Sequence, residues 1–226
     1  MVVRKSRGYT EDPKIRSLRV RAWFQAVTLI SGKTAAGLER EFSERRDRIA
    51  VPSRSCIWQK YKQGLVEPRN RCRGDGRLNL VERVEKKYPG TAKWLSSPLW
   101  RLADKTPMEM SEVRKVFSSL PKLLKSMFIA SPEKATGVFW RRPIDCEHAY
   151  ELLLRLKDVD AFVATLAMIK EAEAIQDQLQ HMLGVLAARR YLSALKTHPI
   201  VGKSLSGEIA DYLESGWESP GYLEDE

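Results

Sequence analysis

Residues 54–68, RSCIWQKYKQGLVEP, decide how the amino-terminal part of the chain folds. Trp58 and Tyr61 lie three residues apart, so a helix over about 54–62 places both rings on one face. Gly64 can adopt the positive φ that ends a helix, and Pro68 stiffens the exit. The stretch therefore predicts a short helix whose aromatic face packs into a core.

Three more helices are predicted around this one. Apolar residues at steps of three and four predict an amphipathic helix over 15–30, which ends at Gly32. A second helix over 34–42 begins at Thr34, a good N-cap residue, and a fourth covers about 78–87. Together they predict a helical bundle over residues 1–90.

Positive charge is concentrated in the same part of the chain. Residues 1–87 hold 22 Lys and Arg against 10 Asp and Glu, a net charge of +12, whereas residues 88–226 hold 17 against 19, a net charge of −2. A basic surface needed only for solubility does not require this segregation. The distribution predicts a basic module that binds a polyanion, joined to a nearly neutral module with another task.

Residues 91–226 predict a helical interaction or oligomerisation domain with an acidic tail over 214–226. We expect two short helices over 107–130, split near Pro121, and then a helix capped by Asp145. One longer helix is predicted over 158–195, with a break near Gly184. No strand pattern is present, so the predicted fold class is all-α.

The apolar face of the long helix, over 159–186, is wider than one intramolecular neighbour requires. It predicts contact with a second copy or with a partner protein, with Phe162 and Ile175 as the residues to test. The alternative is that Phe162 belongs to the core of one globule.

The first ninety residues also resemble a known family. The matching positions are Thr34 and Leu38, then Trp58, Tyr61, Gly64 and Pro68, then Leu80, Val81 and Val84. Their spacing, over about residues 15–90, is similar to that of the phage-repressor-type, or Xre-like, helix-turn-helix domain. The chain differs from that family in an enlarged turn between the second and third helices, and in Lys62-Gln63 where the family usually has an acidic residue before the glycine.

The resemblance implies which side chains contact duplex DNA, because the start of the third helix faces the base edges in that family. The implied base-reading residues are Arg54, Ser55, Gln59 and Lys60. The implied phosphate-binding residues are Lys33, Arg45, Arg46, Arg48, Lys62, Arg69, Arg71 and Arg73. The alternative for the arginines is a solvated connector paired with nearby acidic residues.

Motifs for catalysis or metal binding are not convincing. Gly32-Lys33-Thr34 matches the end of a phosphate-binding loop, but Val27 occupies the position where that motif requires glycine. Cys146 and His148 are near neighbours that point in different directions on a helix, with no third residue to orient them. His181 and His198 are isolated, so we expect no metal and no cofactor.

Cysteine spacing and hydropathy indicate the compartment. Cys56, Cys72 and Cys146 are too irregularly spaced for a disulfide framework, which favours a reducing, cytoplasmic environment. Residues 1–20 lack the apolar run of a signal peptide, and no later stretch reaches the apolar length of a membrane span.

These patterns favour a non-enzymatic DNA-binding protein, a transcriptional regulator of a phage-derived or other mobile element, with that setting implied by the resemblance alone. The alternative is a nucleic-acid-binding adaptor subunit of a larger nucleoprotein assembly, on DNA or RNA, which the enlarged turn favours. An enzyme without a recognisable motif is the third possibility.

Overall fold

The computed structural model describes residues 10–42, 56–68, 78–129 and 145–217, and these residues form α-helices and no strand. The all-α class expected from the sequence is confirmed. The chain divides into two compact units between Leu95 and Ser96. The sequence had placed the domain boundary about five residues earlier, at residue 90.

The first unit contains α1 (Pro13–Ser31), α2 (Ala35–Phe42), α3 (Ile57–Gln63) and α4 (Leu80–Lys87), and α5 (Lys93–Ser96) reaches its boundary. The Asp12 carboxylate caps α1, and Gly32 in a left-handed conformation ends it. Thr34 caps α2 as predicted, since its hydroxyl accepts from the backbone N–H of Gly37 at 3.3 Å.

Aromatic rings form the core of the first unit. Trp23 of α1 stacks on Trp58 of α3 with ring centroids 5.5 Å apart. Tyr61 meets both indoles edge-on, at 5.4 and 5.6 Å. Phe42 of α2 lies 5.7 Å from Trp58, and Tyr88, just after α4, lies 6.2 Å from Phe42. The predicted core role of Trp58 and Tyr61 is therefore confirmed.

The third helix begins later than the sequence suggested. The predicted start was residue 54, but Cys56 has a left-handed backbone with φ 46°, which cannot continue a helix, and α3 begins at Ile57. The Glu39 carboxylate of α2 accepts from the backbone N–H of Trp58 at 3.1 Å and so caps this end of α3. Similarly, α4 begins at Leu80 because Asn79 caps it.

The second unit contains α6 (Leu99–Ala103), α7 (Met110–Ser119), α8 (Lys122–Phe128), α9 (Cys146–Leu156), α10 (Val159–Ile175), α11 (Gln178–Leu195) and α12 (Gly202–Trp217). The division between α7 and α8 at Pro121 and the Asp145 cap on α9 are both confirmed. α10 packs against α6, α7, α8, α9 and α11, and every residue over 161–172 is buried. α10 is therefore the central element of this unit.

The long helix predicted over 158–195 is wrong, because two helices occupy that range. The break lies at Gln176, which has φ 59°, and at Asp177, whose carboxylate caps α11. The predicted break position, Gly184, lies inside α11. A Cβ added there would lie 2.5 Å from both Ile169 Cγ1 and the Tyr150 hydroxyl. Gly184 therefore lets α11 approach its neighbours closely.

The acidic tail over 214–226 was expected to be partly ordered, and its first four residues belong to α12, which continues through Trp217. Within α12, Glu214 pairs with Arg189 of α11 at 2.6 Å. Residues 218–226 lie outside the described residues. The sequence analysis missed α12 entirely, although four of its residues recur at helical spacing and are buried: Leu205, Ile209, Tyr212 and Leu213.

The apolar face predicted over 159–186 divides into a buried part and an exposed part. Phe162 is fully buried, so it belongs to the core of the second unit. Ile175, Leu179, Met182 and Leu186 are instead 53%, 63%, 53% and 47% exposed. The candidate contact surface therefore lies at the end of α10 and along α11.

Gly64 provides a test of how tightly the first unit is packed. It has φ 70°, and an added Cβ would lie 2.2 Å from the Ser17 hydroxyl and 2.7 Å from the Ser17 carbonyl oxygen. We expect Gly64→Ala to lower the free energy of unfolding by about 3 kcal/mol or more, because backbone strain and steric overlap add. Chemical denaturation measures the loss.

Gly90→Ala is the matched control. Gly90 also has positive φ, 89°, but an added Cβ would meet nothing within 4 Å. Only the strain of about 1–2 kcal/mol is then expected. Equal losses in the two variants would contradict the close approach of α3 to α1.

Candidate nucleic-acid interface

Four of the twelve residues assigned to DNA contact by sequence lie in the described part of the chain. They are Gln59, Lys60 and Lys62 on α3, and Lys33 just before α2. The other eight lie outside the described residues: Arg45, Arg46, Arg48, Arg54, Ser55, Arg69, Arg71 and Arg73. The geometry of the candidate interface therefore centres on α3.

The solvent face of α3 is polar. Gln59 and Lys60 are exposed and lie opposite the buried Trp58 and Tyr61. Gln63 is exposed on the same face, one turn after Gln59. Gln63 was not among the residues expected from the sequence to contact DNA, although its four-residue spacing from Gln59 places it on the same helix face.

Both ends of α3 are held in place. At the start, the Glu39 carboxylate accepts from the Trp58 backbone N–H, which ties α3 to α2. At the end, the Gly64 N–H donates to the Tyr61 carbonyl and the Leu65 N–H donates to the Lys60 carbonyl, each at 3.0 Å. These contacts fix the direction in which the polar face projects.

Lys60 and Lys62 place two positive charges on α3. Within the described residues neither ammonium group forms an ion pair with a carboxylate, and both side chains are exposed. A phosphate group can therefore approach them without displacing a described protein partner.

Lys33 is in a different environment, because it belongs to an ion cluster around Glu41. Its ammonium group lies 2.7 Å from Glu41 Oε2, Lys87 pairs with Oε1, and the Tyr88 hydroxyl donates to both carboxylate oxygens at 3.0 Å. The cluster joins the start of α2 to the end of α4. A phosphate group at Lys33 has to compete with Glu41.

The pKa of Glu41 reflects this cluster. Burial acts to raise the pKa of the carboxyl group, but the hydrogen bonds from Lys33, Lys87 and Tyr88 outweigh it and lower the pKa to about 2. The hydrogen bond to Glu41 also raises the pKa of Lys33. Both residues are therefore charged at neutral pH.

A second carboxylate fixes the turn after α4. Glu85 accepts from the backbone N–H of Gly90 and of Ala92, each at 2.7 Å, and from the Thr91 hydroxyl at 3.0 Å. Burial acts to raise the pKa of Glu85, but these hydrogen bonds outweigh it and lower the pKa. Glu85 thereby holds the end of α4 to the start of α5.

The residues that the sequence offered for catalysis or metal binding show no arrangement typical of a catalytic or metal site within the described part of the chain. The Cys146 thiol donates to Gln180 Oε1 at 3.3 Å, whereas His148 is exposed. Across the described ranges, no group of three or more His, Cys, Asp or Glu side chains could hold a metal ion. In the same ranges, no helix is both long and apolar enough to cross a membrane.

Replacing the Glu41 carboxylate tests the ion cluster. The pKa of Glu41 is lower in the folded chain than its ordinary value of 4.5, so its contribution to stability is complete above that pH and is lost as the pH falls toward about 2. We expect Glu41→Gln to lower the Tm at pH 7 by about 2–4 °C. The difference from the unmodified chain should shrink as the pH approaches 2.

Glu151→Gln serves as the control, because Glu151 is exposed on α9 and has no described partner. Thermal unfolding of both variants between pH 2 and pH 7 makes the comparison. A difference for Glu41→Gln that stays constant over this range would contradict the lowered pKa.

The chain was compared with models of known protein families, with curated proteins and with solved structures. None of the three comparisons gives a match.

Proposed function

We propose that this chain is a non-enzymatic DNA-binding protein that contacts duplex DNA with the polar face of α3. One observation carries the proposal: Gln59, Lys60 and Gln63 project to solvent from a helix that Trp58 and Tyr61 anchor in an aromatic core. A glutamine amide can both donate to and accept from an adenine edge. A lysine ammonium can donate to a guanine edge or to a phosphate.

The charge distribution supports the same function. Lys60 and Lys62 lie on α3, and the sequence adds eight arginines in the segments before and after it, at positions 45, 46, 48, 54, 69, 71, 73 and 77. Contacts between such cations and phosphates supply affinity without sequence preference. Base contacts from α3 supply the preference.

The biological role we propose is transcriptional regulation on a phage-derived or mobile element. This role comes from the resemblance of residues 15–90 to the Xre-like helix-turn-helix domain. The alternative is an adaptor subunit of a nucleoprotein assembly, which binds DNA or RNA without reading sequence. The long segment between α2 and α3, residues 43–56, favours this alternative because repressor-type domains use a compact turn.

Selection of bound sequences from random duplex DNA by the full-length chain separates the two roles. A regulator should enrich a defined sequence, whereas an adaptor should bind without enrichment and with affinity that falls steeply as salt rises. Failure to bind duplex DNA or RNA at low salt would contradict both.

Single substitutions then test which residues read bases. We expect Arg54→Ala and Gln59→Ala each to weaken binding to the selected sequence by about 1–3 kcal/mol and to relax the preference at one base pair. Arg46→Ala should weaken binding to all sequences alike. Fluorescence anisotropy with matched and mismatched duplexes measures these effects.

Lys122→Ala is the control for loss of one positive charge, because Lys122 is exposed on α8 in the second unit. It should leave binding unchanged. Equal losses for Arg54→Ala, Gln59→Ala and Arg46→Ala would argue against base reading by α3.

We also propose that the second unit joins two copies of the chain. Leu179, Met182 and Leu186 follow a three-four spacing, which places them on one face of α11, and Ile175 is the last residue of α10. Each of the four is about half exposed. A second copy is the partner that fits this function, because a symmetric pair offers two recognition helices to two half-sites.

Sedimentation of the full-length chain tests this surface. The double variant Leu179→Glu/Met182→Glu should convert a dimer to a monomer at tens of micromolar protein without loss of helicity, because both side chains are exposed. Ile175→Ala should weaken the dimer to a smaller degree. An unmodified chain that sediments as a monomer at this concentration would contradict self-association.

A further inference from the structure

The second unit contains a cavity that the DNA-binding proposal does not use. It has a volume of about 460 Å³ and lies between α6, α10, α11, α12 and the loop after α6. Cavities of this size hold small molecules in many proteins. Most of its wall is apolar, and Met108, Leu166, Leu213 and Trp217 contribute to it.

One side of the cavity carries charged groups. Lys170 lines it from α10, and its side chain is only 9% exposed. The ammonium group lies 2.8 Å from Glu173 Oε2, and Glu173 Oε1 lies 3.8 Å from Nε2 of His181 on α11. A cation, a carboxylate and an imidazole therefore meet on one wall of an apolar cavity.

These groups retain unused hydrogen-bonding capacity. An ammonium group has three N–H donors, and among the described residues Lys170 Nζ donates only to Glu173. The ring nitrogens of His181 make no hydrogen bond to any described residue. Burial of a lysine is unfavourable unless its charge is compensated, and Glu173 is its one described carboxylate partner. A ligand that completes these contacts would offset this cost.

The other two charged residues at the cavity are satisfied locally. The Asp104 carboxylate accepts from the backbone N–H of Thr106 at 2.8 Å and from its hydroxyl at 2.6 Å. The Lys105 ammonium lies over the Tyr212 ring and donates to the Ser215 carbonyl at 3.3 Å. Ligand recognition is therefore assigned to the wall formed by Lys170, Glu173 and His181.

We propose that the cavity binds a small zwitterion with an apolar body, which is the chemistry of a hydrophobic α-amino acid. The ligand carboxylate accepts hydrogen bonds from Lys170 and His181, and its ammonium group donates to Glu173. The apolar body contacts the leucines and Trp217. A simple carboxylate would be repelled by Glu173, and a simple amine would be repelled by Lys170. This inference does not depend on DNA binding.

Isothermal titration calorimetry of the full-length chain tests the proposal with three compounds that share a phenyl group and differ in their charged groups. L-Phenylalanine carries both charges, 3-phenylpropionate carries only the carboxylate, and 2-phenylethylamine carries only the ammonium group. We expect L-phenylalanine to bind, and each of the other two to bind at least about tenfold more weakly because one charged contact is lost.

Two variants locate the site. Lys170→Met should weaken binding of L-phenylalanine at least about tenfold, since it removes the cation and keeps the apolar length. Ala174→Phe should abolish binding by filling the cavity at an exposed position of its wall, without any change of charge. Lys203→Met, at an exposed lysine of α12 that does not line the cavity, should leave binding unchanged.

Three results would overturn the proposal. The first is that L-phenylalanine, L-leucine and L-tryptophan all fail to bind at millimolar concentration. The second is binding of 3-phenylpropionate or 2-phenylethylamine as tight as that of L-phenylalanine, which would exclude zwitterion recognition. The third is unchanged binding in Ala174→Phe, which keeps the Lys170 charge and alters an exposed position, and so remains informative if Lys170→Met unfolds.

Discussion

The stack of Trp23 on Trp58 is the contact on which the first unit depends. It joins α1 to α3, and Tyr61 and Phe42 close around it. Each aromatic pair adds about 0.5–1.5 kcal/mol beyond the apolar area that it buries. A helix as short as α3 is not stable alone in water. The position of its polar face therefore follows from the rings beneath it.

The second unit is organised around a helix instead of a ring cluster. α10 is buried on all sides over 161–172, so its neighbours must approach it closely. Gly184 permits this for α11, and the buried Gln180 amide donates to the Met168 carbonyl of α10 at 2.9 Å. Lys170 is one of the charged residues in this buried range, and it faces the cavity. The apolar packing and the proposed ligand site thus belong to the same helix.

Local signals in the sequence were sufficient for some features and not for others. The Trp58–Tyr61 spacing, the Gly64 stop and the Asp145 cap depend on neighbouring residues, and these predictions are confirmed. The break at Gln176 was missed because glutamine is an ordinary helix residue, whereas glycine at 184 looked like a break. Only the tertiary contacts of Gly184 reveal its packing role. The meeting of Lys170, Glu173 and His181 likewise requires two helices to be placed side by side.

The Glu39 cap on α3 has an electrostatic consequence. The carboxylate brings a negative charge to the start of that helix and occupies the Trp58 N–H, a donor that would otherwise attract an anion. If α3 meets DNA as proposed, a phosphate group is disfavoured at the start of this helix, while Lys60 and Lys62 supply positive charge farther along it on two different sides. Under the proposed function, the Glu39 carboxylate of α2 therefore disfavours an end-on approach of the nucleic acid to α3.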